Sequence, residues 1–341
     1  MSLGLGDNCL LARFLIAFAL LVSLGTMLAM SCATASSNIE PAPGHAAAVD
    51  STSPTSSTRL ALPGKIAFFS NRGGNFHLYV VNPDGSHLTQ LTFDDTRSEV
   101  DGYPSWSPDG SKIAYNSVTS GPDGSQQKIY VINADGANET CLTGDSDGYS
   151  PSWSPDGNKI LFLSDRDSEP AKNRFISELY VMNVDGSGQT RLTSFNGKFY
   201  AASWSPDASK IVSVFQPDYG GPEKILVMKS DVATADKIYS DERLICRAPF
   251  FSPDGSQILV NLTGPMLALS GMYLMNVDGS NLVRLGGGEG SWSPDGRKIV
   301  FSYGARTAPL SSQLWVMNKD RSELVKLFDT PGTNLRPAWS P

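Results

Sequence analysis

The sequence predicts an all-β chain that folds as a six-bladed β-propeller with four antiparallel strands in each blade. Three observations predict this fold class. An aromatic residue followed by Ser-Pro recurs six times, at spacings of 47, 51, 47, 41 and 47 residues. Apolar runs of the type "LYVMN" also recur six times, in step with the first pattern. The chain contains 32 glycines and 22 prolines, which favours short strands joined by turns. A period in the forties with four β-like runs is typical of a propeller blade.

Each repeat divides into four predicted strands, A to D. Strand A is the short run through the aromatic residue, and the turn "SPDG" that follows places Gly where a positive φ is needed. Strand B is an apolar run such as "KILFLS", and strand C is the "LYVMN" type of run. A second turn, such as "NVDG", leads into strand D. We expect the aromatic residues of strands A and C to pack between neighbouring blades. In strand A these structural positions are Trp106, Trp153, Trp204, Phe251, Trp292 and Trp339.

The first and last segments of the predicted domain complete each other. Residues 65–92 contain strands B, C and D without a preceding strand A, whereas residues 336–340 contain a strand A with nothing after it. We therefore expect the C-terminal segment to supply the innermost strand of the first blade. Closure of this kind removes the unpaired edges and bare sheet faces that an open ring would expose.

These repeats resemble the TolB-like family of six-bladed β-propellers with WD-like repeats. The resemblance covers residues 64–341 and depends on the words "WSPDG" and "NxDG" in alternating order. It implies the fold, whereas function has to be argued from a site. Two repeats depart from the pattern: the one that contains Trp204 has no "NxDG", and in the next one Phe251 replaces Trp. TolB itself carries an α/β domain before its propeller, and residues 36–63 are too short and too polar to form one.

Residues 1–35 are predicted to be an export signal. An uncharged apolar run at 14–30 follows Arg13 and precedes small residues. Cys32 then resembles the lipid attachment site of a bacterial lipoprotein, which is the interpretation we favour. The alternatives are ordinary cleavage after "ATA" at 33–35, or a retained membrane anchor. Residues 36–63, rich in Ser, Pro and Ala, predict a disordered tether. We therefore expect an exported protein of the cell envelope, on its periplasmic or extracellular face.

Composition limits the partners that this chain can have. The formal net charge is -7 and Lys and Arg do not cluster, whereas a nucleic-acid-binding surface must be positive. We expect a monomer that binds an envelope or secreted protein or peptide and no nucleic acid, with membrane contact only through an N-terminal lipid or uncleaved signal. Cys141 and Cys246 lie in different repeats, so we expect no disulfide and two small buried side chains.

We predict no catalytic residues, no cofactor and no metal site. The sequence has three histidines; His45 lies in the tether, and His77 and His87 lie at opposite ends of one strand C. The oligogalacturonate lyases, a similar propeller family, use several histidines around a metal. Prolyl-oligopeptidase-like enzymes need an α/β-hydrolase domain that carries a G-x-S-x-G motif at a strand-to-helix turn, and no such domain is predicted in this sequence. The alternative hypothesis is an exported propeller enzyme or glycan-binding protein that uses the central opening, with a divalent metal.

Ten of the 31 acidic residues in the predicted domain occur at turn positions, where Asp is favoured for its side-chain hydrogen bonds. The segments "DSDG" (145–148) and "SDRDSE" (164–169) are interpreted as solvated loops, because neither continues into a calcium-binding loop. The predicted turn residues are Asp84, Asp109, Asp135, Asp156, Asp185, Asp207, Asp254, Asp278, Asp295 and Asp320.

The predicted topology separates a uniform face from a variable one. The A–B and C–D turns share one face, and the irregular B–C and D–A connections share the other, which we call the loop face. Binding residues tend to lie on irregular loops held by a rigid scaffold. We expect the binding site at the rim of the central opening on the loop face, immediately before each strand A. The predicted rim residues are Asp101, Tyr103, Asp147, Tyr149, Tyr200, Arg247, Glu289 and Arg336.

Overall fold

A computed structural model describes residues 62–98, 103–121, 124–168, 176–195, 197–217, 221–231, 235–266, 269–305, 311–329 and 332–341. Within these ranges the chain forms six antiparallel sheets, which are the six blades of a propeller, and the predicted fold class is confirmed. None of the described segments is a helix with the length and hydropathy of a bilayer span. The predicted signal and all of the predicted tether before residue 62 lie outside the described residues, as does Cys32.

The strands of the first three blades are short at the outer edge and longer in the middle. Blade 1 contains β1 (Ile66–Ser70), β2 (His77–Val81) and β3 (Thr89–Gln90), together with β25 (Asn334–Trp339). Blade 2 contains β4 (Arg97–Ser98), β5 (Ser105–Trp106), β6 (Lys112–Gly121), β7 (Gly124–Asn133) and β8 (Thr140–Cys141). Blade 3 contains β9 (Tyr149–Trp153), β10 (Lys159–Ser164), β11 (Glu178–Asn183) and β12 (Thr190–Arg191).

The other three blades repeat the order A to D. Blade 4 contains β13 (Gly197–Trp204), β14 (Lys210–Pro217), β15 (Lys224–Lys229) and β16 (Ala235–Ser240). Blade 5 contains β17 (Ile245–Phe251), β18 (Gln257–Thr263), β19 (Gly271–Asn276) and β20 (Val283–Gly286). Blade 6 contains β21 (Gly290–Trp292), β22 (Lys298–Ala305), β23 (Ser311–Asn318) and β24 (Val325–Lys326).

The ring closes as the sequence predicted, because β25 pairs with β1 in antiparallel register. Ile66 lies opposite Trp339, and Ser70 lies opposite Asn334. Beyond the paired residues, the Ser340 amide donates to the Lys65 carbonyl at 2.8 Å, and the Lys65 amide donates to the Ser340 hydroxyl at 2.7 Å. Both ends of the propeller are therefore fastened within blade 1.

Six apolar clusters fill the spaces between neighbouring blades, and each contains the aromatic residue that precedes Ser-Pro in one strand A. Trp106 packs among residues of blades 1 and 2, and Trp153 among residues of blades 2 and 3. Trp339 packs with Ile66 and Phe68 of blade 1 against blade 6, so the closing interface is built like the others. Trp204, Phe251 and Trp292 occupy the same place in the remaining clusters. The predicted packing role of these residues is confirmed.

The A–B turns contain one deviation from the repeated pattern. Four of these turns have glycine at the last position with φ between +67° and +74°, as at Gly157, where φ is +74°. In blade 4 the same position is Ala208, with φ of +58°. A left-handed backbone conformation costs a residue with a Cβ about 1–2 kcal/mol. The A–B turn of blade 4 is therefore mildly strained at Ala208.

In the C–D turns, glycine also allows the backbone to lie close to the neighbouring blade. The Gly279 backbone has φ of +84°, and a Cβ there would collide with the carbonyl oxygen of Ile238 in blade 4. The turn of one blade therefore packs directly on the outer strand of the previous blade.

Removal of residues 336–341 should lower the melting temperature sharply, because it removes Trp339 from the closing interface. Loss of a buried Trp side chain costs about 3–5 kcal/mol. Thermal unfolding followed by circular dichroism measures the effect. A chain that ends at Ser340 is the control, because Pro341 is exposed; an unchanged melt of the longer deletion would contradict the role of this strand.

Ala208→Gly should stabilise the protein by about 1 kcal/mol, because glycine adopts the left-handed turn without strain. Gly157→Ala is the matched control in blade 3, where a new Cβ would make only ordinary contacts, and it should destabilise by a similar amount. Urea unfolding with a common slope gives both values. A destabilised Ala208→Gly variant would show that the turn is not strained.

Candidate functional site

The face formed by the A–B and C–D turns, which we call the turn face, is chemically uniform. Each predicted turn aspartate on it accepts hydrogen bonds from its own turn. In all ten turns the backbone amide two residues further along donates to the Asp carboxylate, at distances between 2.9 and 3.1 Å. At Asp254 the hydroxyl groups of Ser252 and Ser256 also donate, at 2.6 and 2.8 Å. These hydrogen bonds, above all that of Ser252, lower the pKa of Asp254 to about 2. The aspartates therefore act as turn residues, as the sequence predicted.

On the loop face, strand A is irregular where it reaches the central opening. The pairing of strands A and B shifts register at this point in blades 1, 3, 4 and 5, as bulges do. Ser150, Ala248 and Arg336 have φ values of +51°, +49° and +52°, and each precedes a proline. Non-glycine residues with such backbones cluster at functional sites, because the surrounding fold has to hold them. Bulged strands thus aim side chains at the rim.

One group of rim residues gathers at Tyr103. The Tyr103 ring meets the Phe250 ring edge-on, with centroids 5.4 Å apart. The Arg336 guanidinium lies 5.7 Å from the centre of the Tyr103 ring, and its Nε is 3.6 Å from Glu289 Oε2. Burial, together with the Glu289 carboxylate, raises the pKa of Tyr103 well above its ordinary value. Three predicted rim residues from blades 1, 2 and 6 are therefore in one cluster.

A second group is centred on Arg247. Its guanidinium stacks 4.8 Å from the centre of the Tyr200 ring, and Nη1 donates to Glu223 Oε2 at 2.9 Å. The same carboxylate oxygen accepts the amide of Cys246 at 2.6 Å, and the Tyr200 hydroxyl donates to Gln216 at 2.7 Å. Glu223 is a site residue that the sequence analysis missed, since it lies in a B–C connection without a repeated pattern. This group holds the Arg247 and Tyr200 side chains in fixed positions.

The third group lies on blade 3. The hydroxyl groups of Tyr149 and Ser177 are 2.6 Å apart, and the Asp147 carboxylate accepts the Gln127 amide at 3.1 Å. Burial raises the pKa of Tyr149 to about 12, and the charges of Asp165, Tyr200 and Asp147 act in the same direction. Asp147, Tyr149 and Tyr200 are thus neighbours at the rim. Asp101, the remaining predicted rim residue, lies outside the described residues.

Inside the rim the central channel contains a cavity of about 220 Å³. Residues from strand A of all six blades line it, among them Ser105, Ser152 and Ser203, with Tyr103 and Phe250 also in the lining. Two of these hydroxyl groups are bonded within the wall, since the Ser105 hydroxyl accepts the Trp153 amide at 3.0 Å and the Ser203 hydroxyl donates to the Pro249 carbonyl at 2.8 Å. The cavity is continuous with the Tyr103 group through Tyr103 itself.

The loop face is further stiffened by arginines that stack on strand C tyrosines. Arg166 lies 4.7 Å from the Tyr180 ring centre, and its Nε donates to the Ser164 hydroxyl at 2.8 Å. Arg72 repeats this arrangement over Tyr79 in blade 1, also at 4.7 Å. Arg166, which belongs to the segment interpreted as a solvated loop, is therefore half-buried and held by contacts within blade 3. The repeated sequence Ser-x-Arg after strand B is the signal that could have predicted both stacks.

Cysteine and histidine do not assemble a reactive centre in the described part of the chain. Cys141 and Cys246 are both free, as predicted. Cys246 is buried, and burial raises the pKa of its thiol to about 12, whereas Cys141 lies exposed on the outer strand β8. The prediction that both are buried is wrong for Cys141, because no further strand covers that edge. Among the described residues there is no group of three metal-ligating side chains.

The comparisons with known proteins agree with this architecture. The model of the TolB beta propeller domain matches residues 97–217, from β4 to β14. A TolB homolog of Chlorobium luteolum is 27% identical over 183 residues, which is 54% of this chain and 38% of the relative. The chain therefore spans well under half of that relative. The crystal structure of TolB from Acinetobacter baumannii superposes with a TM-score of 0.64 at 21% identity, over 82% of this chain and 67% of that one.

Residues 97–217 of this chain are thus similar to the TolB beta propeller domain, and the described residues form a six-bladed propeller. The family resemblance predicted from the repeated words is confirmed. The TolB-like propeller also superposes on oligogalacturonate lyase from Vibrio parahaemolyticus, with a TM-score of 0.52 at 17% identity over 77% of this chain and 74% of the lyase. At such identities the likeness shows the fold alone, and function has to be argued from the rim.

Proposed function

We propose that this protein is a non-catalytic β-propeller of the cell envelope that binds a protein or peptide partner through the loop-face rim. The observation that carries the proposal is the set of bulged strands A, which hold Tyr149, Tyr200, Arg247 and Arg336 around the opening. Tyrosine and arginine are the side chains that most often dominate the binding energy of protein interfaces. Held in place before binding, they lose little conformational entropy when a partner arrives.

Exposed apolar side chains on the same face support a macromolecular partner. Phe93 is 71% exposed in the connection from blade 1 to blade 2, and Tyr303 is 56% exposed at the B–C end of β22. Phe195 is also exposed, between blades 3 and 4, where it packs against Phe199 and Phe215. A small ligand in the central channel would leave these side chains exposed to solvent. A protein that covers the loop face would bury them along with the rim.

Location in the envelope is part of the proposal. The likeness to a TolB homolog and the predicted signal over residues 1–35 both support an exported protein, and the sequence around Cys32 supports lipid attachment there. We propose a monomer tethered by residues 36–63, with no nucleic-acid partner and with membrane contact only through the N-terminus. The tether would let the propeller reach partners at some distance from the membrane.

The double variant Tyr149→Ala, Tyr200→Ala should lose a partner that the wild type recovers from envelope extracts, because these side chains form two of the three rim groups. Pull-down followed by mass spectrometry measures recovery. Val184→Ala, Leu324→Ala is the matched control, since both residues are exposed at C–D turns away from the rim. Equal recovery of every partner by all three proteins would remove the proposed binding site.

The mature protein should carry diacylglycerol on Cys32. Intact-mass analysis of protein purified from membranes measures this directly, and Cys32→Ser should release the protein into the soluble fraction. An unmodified N-terminus at Ser36 would show instead that an ordinary signal peptidase acts and that the protein is not lipid-anchored.

A further inference from the structure

The turn face departs from its repeated pattern in blade 6, where three cations stand at positions that are uncharged in the matching turns. The C–D turn reads "NKDR" at 318–321, whereas blades 3 and 5 have "NVDG" at the same positions. The A–B turn has Arg297 where blades 2 and 5 have serine. We call Arg297, Lys319 and Arg321 the basic corner. The two turns are in contact, since the Lys319 amide donates to the Arg297 carbonyl at 2.9 Å.

Arg321 has a backbone conformation that favours glycine. Its φ is +72°, and the four other turns of this type have glycine there, with φ between +79° and +88°. A left-handed backbone is unfavourable for a residue with a Cβ. At Gly85, Gly186 and Gly279 a Cβ would also collide with a carbonyl oxygen of the preceding blade. The chain therefore carries a long cation where the fold favours no side chain, and such strain is typical of functional positions.

A neighbouring residue with a positive φ has an internal partner, which Arg321 lacks. Glu323 has φ of +51°, and its carboxylate pairs at 2.9 Å with the ammonium of Lys298, whose side chain is 11% exposed. That ion pair accounts for Glu323 within blade 6. In the part of the chain that the structure describes, the Lys319 and Arg321 side chains make no hydrogen bond or ion pair. Contacts within its own blade therefore do not explain the position of Arg321.

The carboxylates beside the basic corner are already engaged. Asp295 and Asp320 accept hydrogen bonds from their own turns, as turn aspartates do in the other blades. The pKa of Asp254 in blade 5 is lowered mainly by hydrogen bonds within its own turn, with a smaller contribution from the charge of Lys319. Arg297 approaches Asp295 only to 4.0 Å, and its side chain is 84% exposed. The three cations are therefore left to solvent or to a ligand.

The two turns of blade 6 also carry more positive charge than the turns of other blades. Residues 293–298 and 318–323 contain four cations and three carboxylates, whereas the corresponding segments of blade 5 contain two carboxylates and no cation. In blades 2 and 3 one lysine accompanies two aspartates. The basic corner is thus a positive area on a chain whose formal net charge is -7.

An acidic peptide segment fits this arrangement better than a membrane surface does. Arginine pairs with carboxylates through two parallel hydrogen bonds, and Arg297 and Arg321 present such groups from adjoining turns. A flat anionic membrane would meet the carboxylates of Asp295 and Asp320 as well as the cations, so repulsion would offset part of the attraction. A short peptide can place its carboxylates at the cations alone.

We propose that the basic corner binds an acidic segment of a partner protein, with Asp or Glu carboxylates paired to Arg297, Lys319 and Arg321. This surface lies on the turn face, so the inference goes beyond the proposed rim function and does not depend on it. A propeller with one binding surface on each face can hold two proteins at the same time.

Two synthetic decapeptides test the proposal, one with three Glu in a Gly/Ser background and one with Gln at the same positions. Each peptide is added to the full chain at low salt, and NMR follows the ¹⁵N amide signals of residues 318–323. We expect the Glu peptide to shift these signals and to bind about tenfold more tightly than the Gln peptide. Added salt should weaken binding of the Glu peptide, because the contacts are exposed to solvent.

The double variant Lys319→Val, Arg321→Gly gives blade 6 the "NVDG" turn that this fold already accommodates in blades 3 and 5. It should weaken binding of the Glu peptide about five- to tenfold. It should also raise the melting temperature by about 1–3 °C, because the strain at position 321 is removed. Lys112→Gln, Lys210→Gln is the matched control, since it removes two exposed cations from turns of blades 2 and 4. The control should bind the Glu peptide within about twofold of the wild type.

The proposal is wrong if the Gln peptide binds as tightly as the Glu peptide, or if the "NVDG" variant binds the Glu peptide as tightly as the wild type. A lower melting temperature of the variant would show that Arg321 supports its own turn and is not held for a partner. Vesicles of phosphatidylglycerol that bind the wild type and not the variant would make the basic corner a membrane-binding surface instead.

Discussion

Apolar packing between adjacent blades is the interaction on which this structure depends. A single four-stranded blade has two apolar faces and cannot bury both by itself, so each blade is completed only by its neighbours. Six such interfaces can exist only if the ring closes, and the pairing of β25 with β1 closes it. The same packing sets strand A of every blade around one axis. The geometry of the rim is therefore a consequence of the apolar clusters beneath it.

The two faces of the propeller differ in how regular their connections are. On the turn face, Asp, Ser and Gly recur because each turn satisfies its own amides and fits against the next blade, as at Gly279 and Ile238. On the loop face, the connections differ in length and composition, and the strands that meet them are bulged. Arg166 and Arg72 restrain this face by stacking on tyrosine rings, so its irregular connections are held in place. A rigid, irregular surface is what selective protein recognition needs.

Blades, strand order and closure could all be predicted from the sequence, because they follow from local rules that repeat. The aromatic residue before each "SP" turn and the apolar run of each strand C can be recognised without knowledge of the rest of the chain. The pairing of β4 with Val118 and Thr119 of β6 could not be predicted, since a strand of only two residues shows no sequence periodicity. The ion pair between Glu223 and Arg247 joins two blades through irregular loops, for which no local rule exists. The strand order alone predicted which residues lie at the rim. Which of these residues contact one another depends on the irregular loops.

The position of β25 has a consequence for how the molecule is made. A ribosome delivers the N-terminal part first, and domains begin to fold as the chain emerges. β1 is therefore synthesised before five further blades. Its Ile66 and Phe68 side chains stay exposed until the other residues of their cluster, in blade 6 and β25, have been synthesised. A product of premature termination keeps this patch permanently bare. Chaperones and proteases act on chains that remain incompletely folded, and exposed apolar surface of this kind is a feature of such chains.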